Sequence, residues 1–189
     1  MSGPEPVGTR SDAERNRRML LEAAAAALAS DPGASMAEVA QIAGLARATL
    51  YRHFRSRQEL LAALRQEALA RAAEAISASR CDEGPPLAAL RRVIEGLATL
   101  GVRFRALLAD GADLDPAFLR ERSRVLAPLH GVIRRGQETG VIRPEVPPQW
   151  VVLAMASMLV AAVHTFTGTA ETGRVADLVY ESLTRGVAT

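Results

Sequence analysis

Residues 35–59 read SMAEVAQIAGLARATLYRHFRSRQE, and this stretch decides the fold. Ser35 stands three residues before Glu38, and Ser56 three before Glu59. Each pair can close a capping box over the orphan N–H groups at a helix start. Val39, Ala40 and Ala43 line one face of a short helix. Gly44 ends it, because glycine takes the left-handed position after a helix without steric cost. Leu45, Leu50 and Phe54 resume the apolar spacing in a second short helix, from about Ala46 to His53. A helix, a tight glycine turn and a helix make a helix-turn-helix, whose second helix enters the major groove of DNA.

The charges agree. Arg47, Arg52, Arg55 and Arg57 fall within this segment beside His53, with no acidic residue between Arg47 and Arg57. Such a local basic face is what phosphate neutralisation requires. Arg47, near the start of the second helix, is the candidate for a base contact, since its fork can bond guanine in bidentate fashion. Ala48 offers close approach or a thymine-methyl contact, and Thr49 can reach a phosphate or a base. Arg52, Arg55 and Arg57 are candidate phosphate ligands, and Ser35 joins the candidate DNA-contacting set. Leu50 and Phe54 belong to the core.

Thr49-Leu50-Tyr51-Arg52-His53-Phe54, preceded by Gly44-Leu45-Ala46-Arg47, closely resembles the signature of the TetR family of bacterial transcriptional regulators. The likeness runs from about Arg15 to Leu64. It implies backbone contacts for Tyr51 and His53, although Tyr51 can equally be a half-buried ring that packs the motif. It also implies a dimer formed through the last two long helices.

Composition bounds the rest. The 189 residues are 49% hydrophobic and only 4% aromatic, with alanine supplying much of the apolar content. Capped Ala-rich stretches favour helix, so an all-α protein is expected. Net charge is +2, and every basic residue is Arg. That bias follows more readily from a GC-rich genome than from DNA contact, so it carries no weight here. A single cysteine, Cys81, excludes an intramolecular disulfide and fits a reducing cytoplasm. No signal peptide is visible at the polar amino terminus.

In chain order, residues 1–10 read as a flexible arm. Ser11 and Glu14 form a third capping box, opening a helix to about Ser30 whose Leu20, Ala24, Ala27 and Leu28 are buried. Its Arg15, Arg17 and Arg18 face either phosphate or solvent. The helix-turn-helix domain is placed at residues 11–55. A long connecting helix follows over 56–80, long enough to act as a lever. Residues 81–189 form a helical ligand-binding and dimerisation domain, after a break at Arg80–Pro86. Here helices are expected over Leu87–Leu100 and Val102–Ala109, then an acidic loop at Asp110–Asp115. Another helix runs from Pro116 to near Gly140, bent at Pro128. Trp150–Phe166 has no polar stripe, so it is buried on more than one side. It sits at the short limit for a membrane span and is expected instead to pack on its own domain and on a second copy. Glu171–Val187 supplies its neighbour.

Catalytic machinery is missing from the pattern. His53, His130 and His164 have no partner at metal-ligand spacing, and there is no phosphate loop or nucleophile elbow. No catalytic residue, metal or cofactor is expected. Cys81 reads as a passive thiol. Phe104, Leu108, Leu126, His130, Met155, Met158 and Phe166 are candidate ligand contacts between helices, against the plainer reading that they close the core. The expected function is therefore a cytoplasmic, homodimeric regulator of a near-palindromic operator in double-stranded DNA. A repressor released by a small apolar or amphipathic ligand is the leading form. An activator or ligand-independent regulator is the alternative, and a helical enzyme or lipid carrier with a vestigial helix-turn-helix is a remote one.

Overall fold

A computed structural model of the chain describes residues 7–105, 107, 116–166 and 171–188. They are all-α: α1 Val7–Ser30, α2 Met36–Ile42, α3 Arg47–His53, α4 Arg57–Ala78, α5 Pro86–Arg103, α6 Pro116–Leu126, α7 Pro128–Glu138, α8 Pro148–Thr165 and α9 Thr172–Val187. Among the described residues the one extended pairing is an isolated bridge between Ile142 and Ala188. The chain divides inside α4 into two compact units, Met1–Glu67 and Ala68–Thr189.

The amino-terminal unit closes over Leu20, Leu21, Leu28, Val39, Leu50, Phe54, Leu60 and Leu64, all buried. α1 begins at Val7, four residues ahead of the Ser11 cap expected from the sequence, so part of the expected arm is helical. The second capping box is also shifted. Ser56 Oγ accepts from Glu59 N–H at 3.1 Å, but the Glu59 carboxylate accepts from Arg55 N–H at 2.8 Å rather than from Ser56.

In the carboxy-terminal unit, α5, α7, α8 and α9 share one core, in which Leu90, Ile94, Leu129, Ile133, Met155, Val163, Val179 and Leu183 interlock. Prolines open α5, α6, α7 and α8, where the missing N–H costs nothing. Pro128 therefore does more than bend a single helix. It starts α7, with Ala127 kept at helical dihedrals between the two segments.

Gly101 does not separate two helices as its sequence context suggests; α5 runs through it to Arg103. Its role is close approach. A Cβ there would lie 2.8 Å from Val163 Cγ2 of α8. Gly136 serves the same purpose for Ile142, whose Cδ1 would lie 2.5 Å from an added Cβ. α7 then ends in a Schellman motif. Gly140, at φ +72°, donates to Gln137 O (3.1 Å) and Val141 donates to Gly136 O (2.9 Å).

Candidate nucleic-acid interface

The α2–α3 motif is fixed by backbone chemistry at each corner. Ser35 caps α2 with a complete box: its Oγ accepts from Glu38 N–H (3.3 Å), and its N–H donates to Glu38 Oε2 (2.8 Å). These two Ser35 bonds hold the Glu38 carboxyl below its ordinary range, so the box is charge-assisted. α2 ends in a Schellman turn at Gly44, φ +66°. Gly44 N–H donates to Gln41 O (3.1 Å) and Leu45 N–H to Ala40 O (2.8 Å), the pairing that satisfies a helix's last carbonyls. The chain then re-enters helix at Arg47 with Leu50 and Phe54 fully buried.

Burial of those two residues dictates what α3 presents. Arg47, Ala48, Tyr51 and Arg52 are exposed, as is Arg55 just beyond the helix, while Thr49 and His53 are half-buried. Tyr51 keeps 47% of its surface exposed. The His53 ring leans on Phe54, centroids 6.2 Å apart, and so is partly a packing group.

The arginines divide into two sets. Arg47, Arg52 and Arg55 offer guanidinium groups without an ion pair or hydrogen bond among the described residues. Arg17 lies over the Phe54 ring at 5.7 Å, and Arg18 pairs with Glu67 at 3.7 Å.

Arg57, read from the sequence as a candidate phosphate ligand, belongs by its geometry with the second set. Its Nε donates to Ala34 O (3.1 Å) and its Nη2 to Pro32 O, tying the first turn of α4 to the α1–α2 turn. Sequence spacing gave no sign of this, since the acceptors are backbone atoms 23 and 25 residues away. Arg57→Ala is expected to cost about 1–2 kcal/mol of stability, as charge-assisted bonds to carbonyls do. Thermal unfolding checks it: an unchanged midpoint together with weakened DNA binding would restore Arg57 to the phosphate-contacting set.

The described ligand candidates differ in how far they are buried. Met155 is 1% exposed and Phe104 5%, so both fill core. Leu126, Met158 and Phe166 are half-buried against that core, and Phe166 carries the Arg174 guanidinium at 4.9 Å. His130 is half-exposed, and Leu108 lies outside the described residues, as does the Asp110–Asp115 loop. A cleft of about 450 Å³ lies elsewhere, between the α4–α5 turn and α7. It is lined by Cys81, Asp82, Pro128, Gly131, Val132, Arg134, Arg135 and Glu138. Burial, reinforced by Asp82, pushes the Cys81 thiol up, in keeping with a passive group. Among the described residues no cluster of His, Cys, Asp or Glu could hold a metal.

A capped helix-turn-helix whose second helix turns uncommitted arginines outward is the architecture of a DNA-binding regulator. The family described as "Bacterial regulatory proteins, tetR family" matches residues 20–64. Over 177 residues the chain is 30% identical to the HTH-type transcriptional repressor LfrR of Mycolicibacterium smegmatis, spanning 93% of this chain and 92% of that one. The chain belongs to the TetR family of bacterial transcriptional regulators. Its fold matches the crystal structure of LfrR from Mycobacterium smegmatis in complex with proflavine, with TM-score 0.73 and 28% identity over 93% of this chain and 98% of that one. The TetR-family regulator PfmR of Thermus thermophilus matches with TM-score 0.69 and 29% identity, over 88% and 94% of the two chains. These relatives are transcriptional regulators, not enzymes.

Proposed function

We propose that the protein is a cytoplasmic homodimeric repressor that binds a near-palindromic operator and leaves it when a small apolar or amphipathic ligand binds the carboxy-terminal unit. The observation that carries the DNA-binding half is the outward set of Arg47, Arg52 and Arg55. Nearby cations are already committed within the protein. Arg47 reads bases, Thr49 and Ala48 lie close to it, and Tyr51, Arg52, His53 and Arg55 hold phosphates. Ser35 keeps its hydroxyl proton for a phosphate oxygen at the start of α2.

A second copy is supported by α8, an 18-residue helix of mean hydropathy 1.4 with only a third of its residues buried in its own chain. Its open face carries Trp150 at 54% and Leu153 at 57% exposure, continuing through Ser157, Ala161 and His164, and α9 adds Leu178 at 47%. A soluble chain rarely leaves such a patch bare. A two-fold dimer uses the same helices from both copies and sets two recognition helices about 34–36 Å apart, one DNA turn. The relative's repressor activity and its complex with proflavine support the repressor and ligand parts of the reading. Such a ligand must bind the non-spaced arrangement more tightly by the whole coupling free energy.

The test is a salt titration of binding to operator fragments selected from genomic DNA. Affinity is expected to fall steeply, with log K linear in log salt, because several Arg–phosphate contacts release counterions. Affinity that stays flat from low to physiological salt would contradict the reading.

A further inference from the structure

The turn after α4 is held by two guanidinium groups that divide five consecutive carbonyls between them. Arg92 of α5 donates Nε to Ser79 O (2.9 Å) and Nη2 to Arg80 O (3.1 Å) and Glu83 O (2.9 Å). Arg135 of α7 donates Nη1 to Asp82 O and Nη2 to Cys81 O. The backbone between them needs holding, since Arg80 sits at φ +46°, a region that side-chain-bearing residues rarely adopt. Positive charge beside the last carbonyls of α4 also complements the helix dipole.

The two arginines are not equivalent. Arg92 lies 9 to 13 residues from its acceptors, on the helix into which the turn leads, so its bonds belong to the turn's own fold. Arg135 reaches back 53 and 54 residues, from a helix anchored in the core by Leu129, Val132 and Ile133. Arg135 therefore ties α7 to the end of α4. The same end is also held on α5, by the Arg92 bond to Ser79 O and by Ala75, which meets Gly96 closely enough that an added Cβ would lie 3.4 Å away; Ile76 and Cys81 pack on the core. Neither guanidinium has a carboxylate within ion-pair distance among the described residues, so only neutral carbonyls hold Arg135. A cleft lined by Pro128, Gly131, Arg134 and Glu138 lies beside its side chain.

We propose that Arg135 is a latch. Bonded to Cys81 O and Asp82 O, it ties the end of α4 to α7; swung into the cleft, it releases that tie and leaves the end held on α5 by Arg92 alone of the two guanidinium groups. α4 is one continuous helix from Arg57, next to the recognition helix, to Ala78. Loosening its far end spreads it over more positions and lowers the fraction of dimers with both recognition helices in register. Apparent operator affinity falls by that fraction. The proposal rests on the dimeric DNA-binding reading above.

The experiment compares the full-length protein with Arg135→Gln and Arg135→Lys, on a two-half-site operator and on a single half-site duplex. Hydrogen exchange over residues 79–85 is measured in parallel. Arg135→Gln is expected to exchange at least about tenfold faster in the turn and to bind the full operator about tenfold more weakly. Its half-site affinity should stay within about twofold, because one recognition helix needs no register. Arg135→Lys, with three donors on a flexible stem, should fall between. Wild-type exchange and wild-type operator affinity in Arg135→Gln would overturn the latch, as would equal losses on both duplexes, which indicate a general folding defect. A wild-type protein with no preference for the full operator would instead defeat the DNA-binding reading. Unchanged exchange in Arg135→Gln would then overturn the latch on its own.

Discussion

Ala161→Glu is expected to yield a folded monomer that no longer holds its operator, whereas Ala162→Glu is expected to fail to fold. The two alanines are neighbours on α8 and chemically identical, but the turn of about 100° between them puts them on different faces. Ala161 is exposed and aligned with Trp150, Leu153, Ser157 and His164; Ala162 is 4% exposed inside the core. A glutamate at position 161 meets solvent in the monomer and an apolar partner face in the proposed dimer. An uncompensated buried carboxylate costs about 3–5 kcal/mol, so the dissociation constant should rise by at least about a hundredfold. At position 162 the same penalty falls on the carboxy-terminal unit itself and removes a large share of its stability. Light scattering at micromolar concentration and far-ultraviolet circular dichroism separate the outcomes. An Ala161→Glu protein that remains dimeric would place the partner on another face.

Arg47→Ala should lower affinity for the selected operator by about 1–3 kcal/mol per half-site, roughly five- to 150-fold each, while leaving random-sequence DNA much less affected. Arg47 stands at the first position of α3 with no competing partner among the described residues, so its fork is available to a guanine edge. Arg55→Ala, one phosphate contact fewer in each chain, should instead weaken all sequences alike and reduce the salt slope of the dimer by about two. Competition binding with operator and scrambled duplexes makes the comparison. Equal losses on both duplexes for Arg47→Ala would move Arg47 from base readout to the phosphate set.

The features legible in the sequence are those whose causes are local. Ser35–Glu38 and Gly44 announce α2 and its end because capping and left-handed backbone are settled within a few residues. Leu50 and Phe54 mark the buried side of α3 by their i, i+4 spacing, and that fixes the exposed side. Where the cause is distant, sequence reasoning goes wrong or stops short. Gly101 resembles a helix break until Val163 is seen against it; only a partner 62 residues away explains why the residue is glycine. Arg57 sits in a basic run, yet its acceptors are the carbonyls of Pro32 and Ala34. Met155 makes a plausible pocket wall because methionine adapts to irregular space, and its burial in the core, 1% exposed, depends on neighbours from several helices. Ala161 and Ala162 cannot be told apart within an apolar run that has no polar stripe. Packing alone separates them.

The measurement closest to the central claim is genomic selection of bound fragments by the purified protein, followed by footprinting of the enriched site. The account predicts one enriched sequence with two-fold symmetry, occupied by two chains, with protection centred on two major-groove segments on the same DNA face about 34–36 Å apart. No enriched sequence, or a single unrepeated site occupied by one chain, would contradict it.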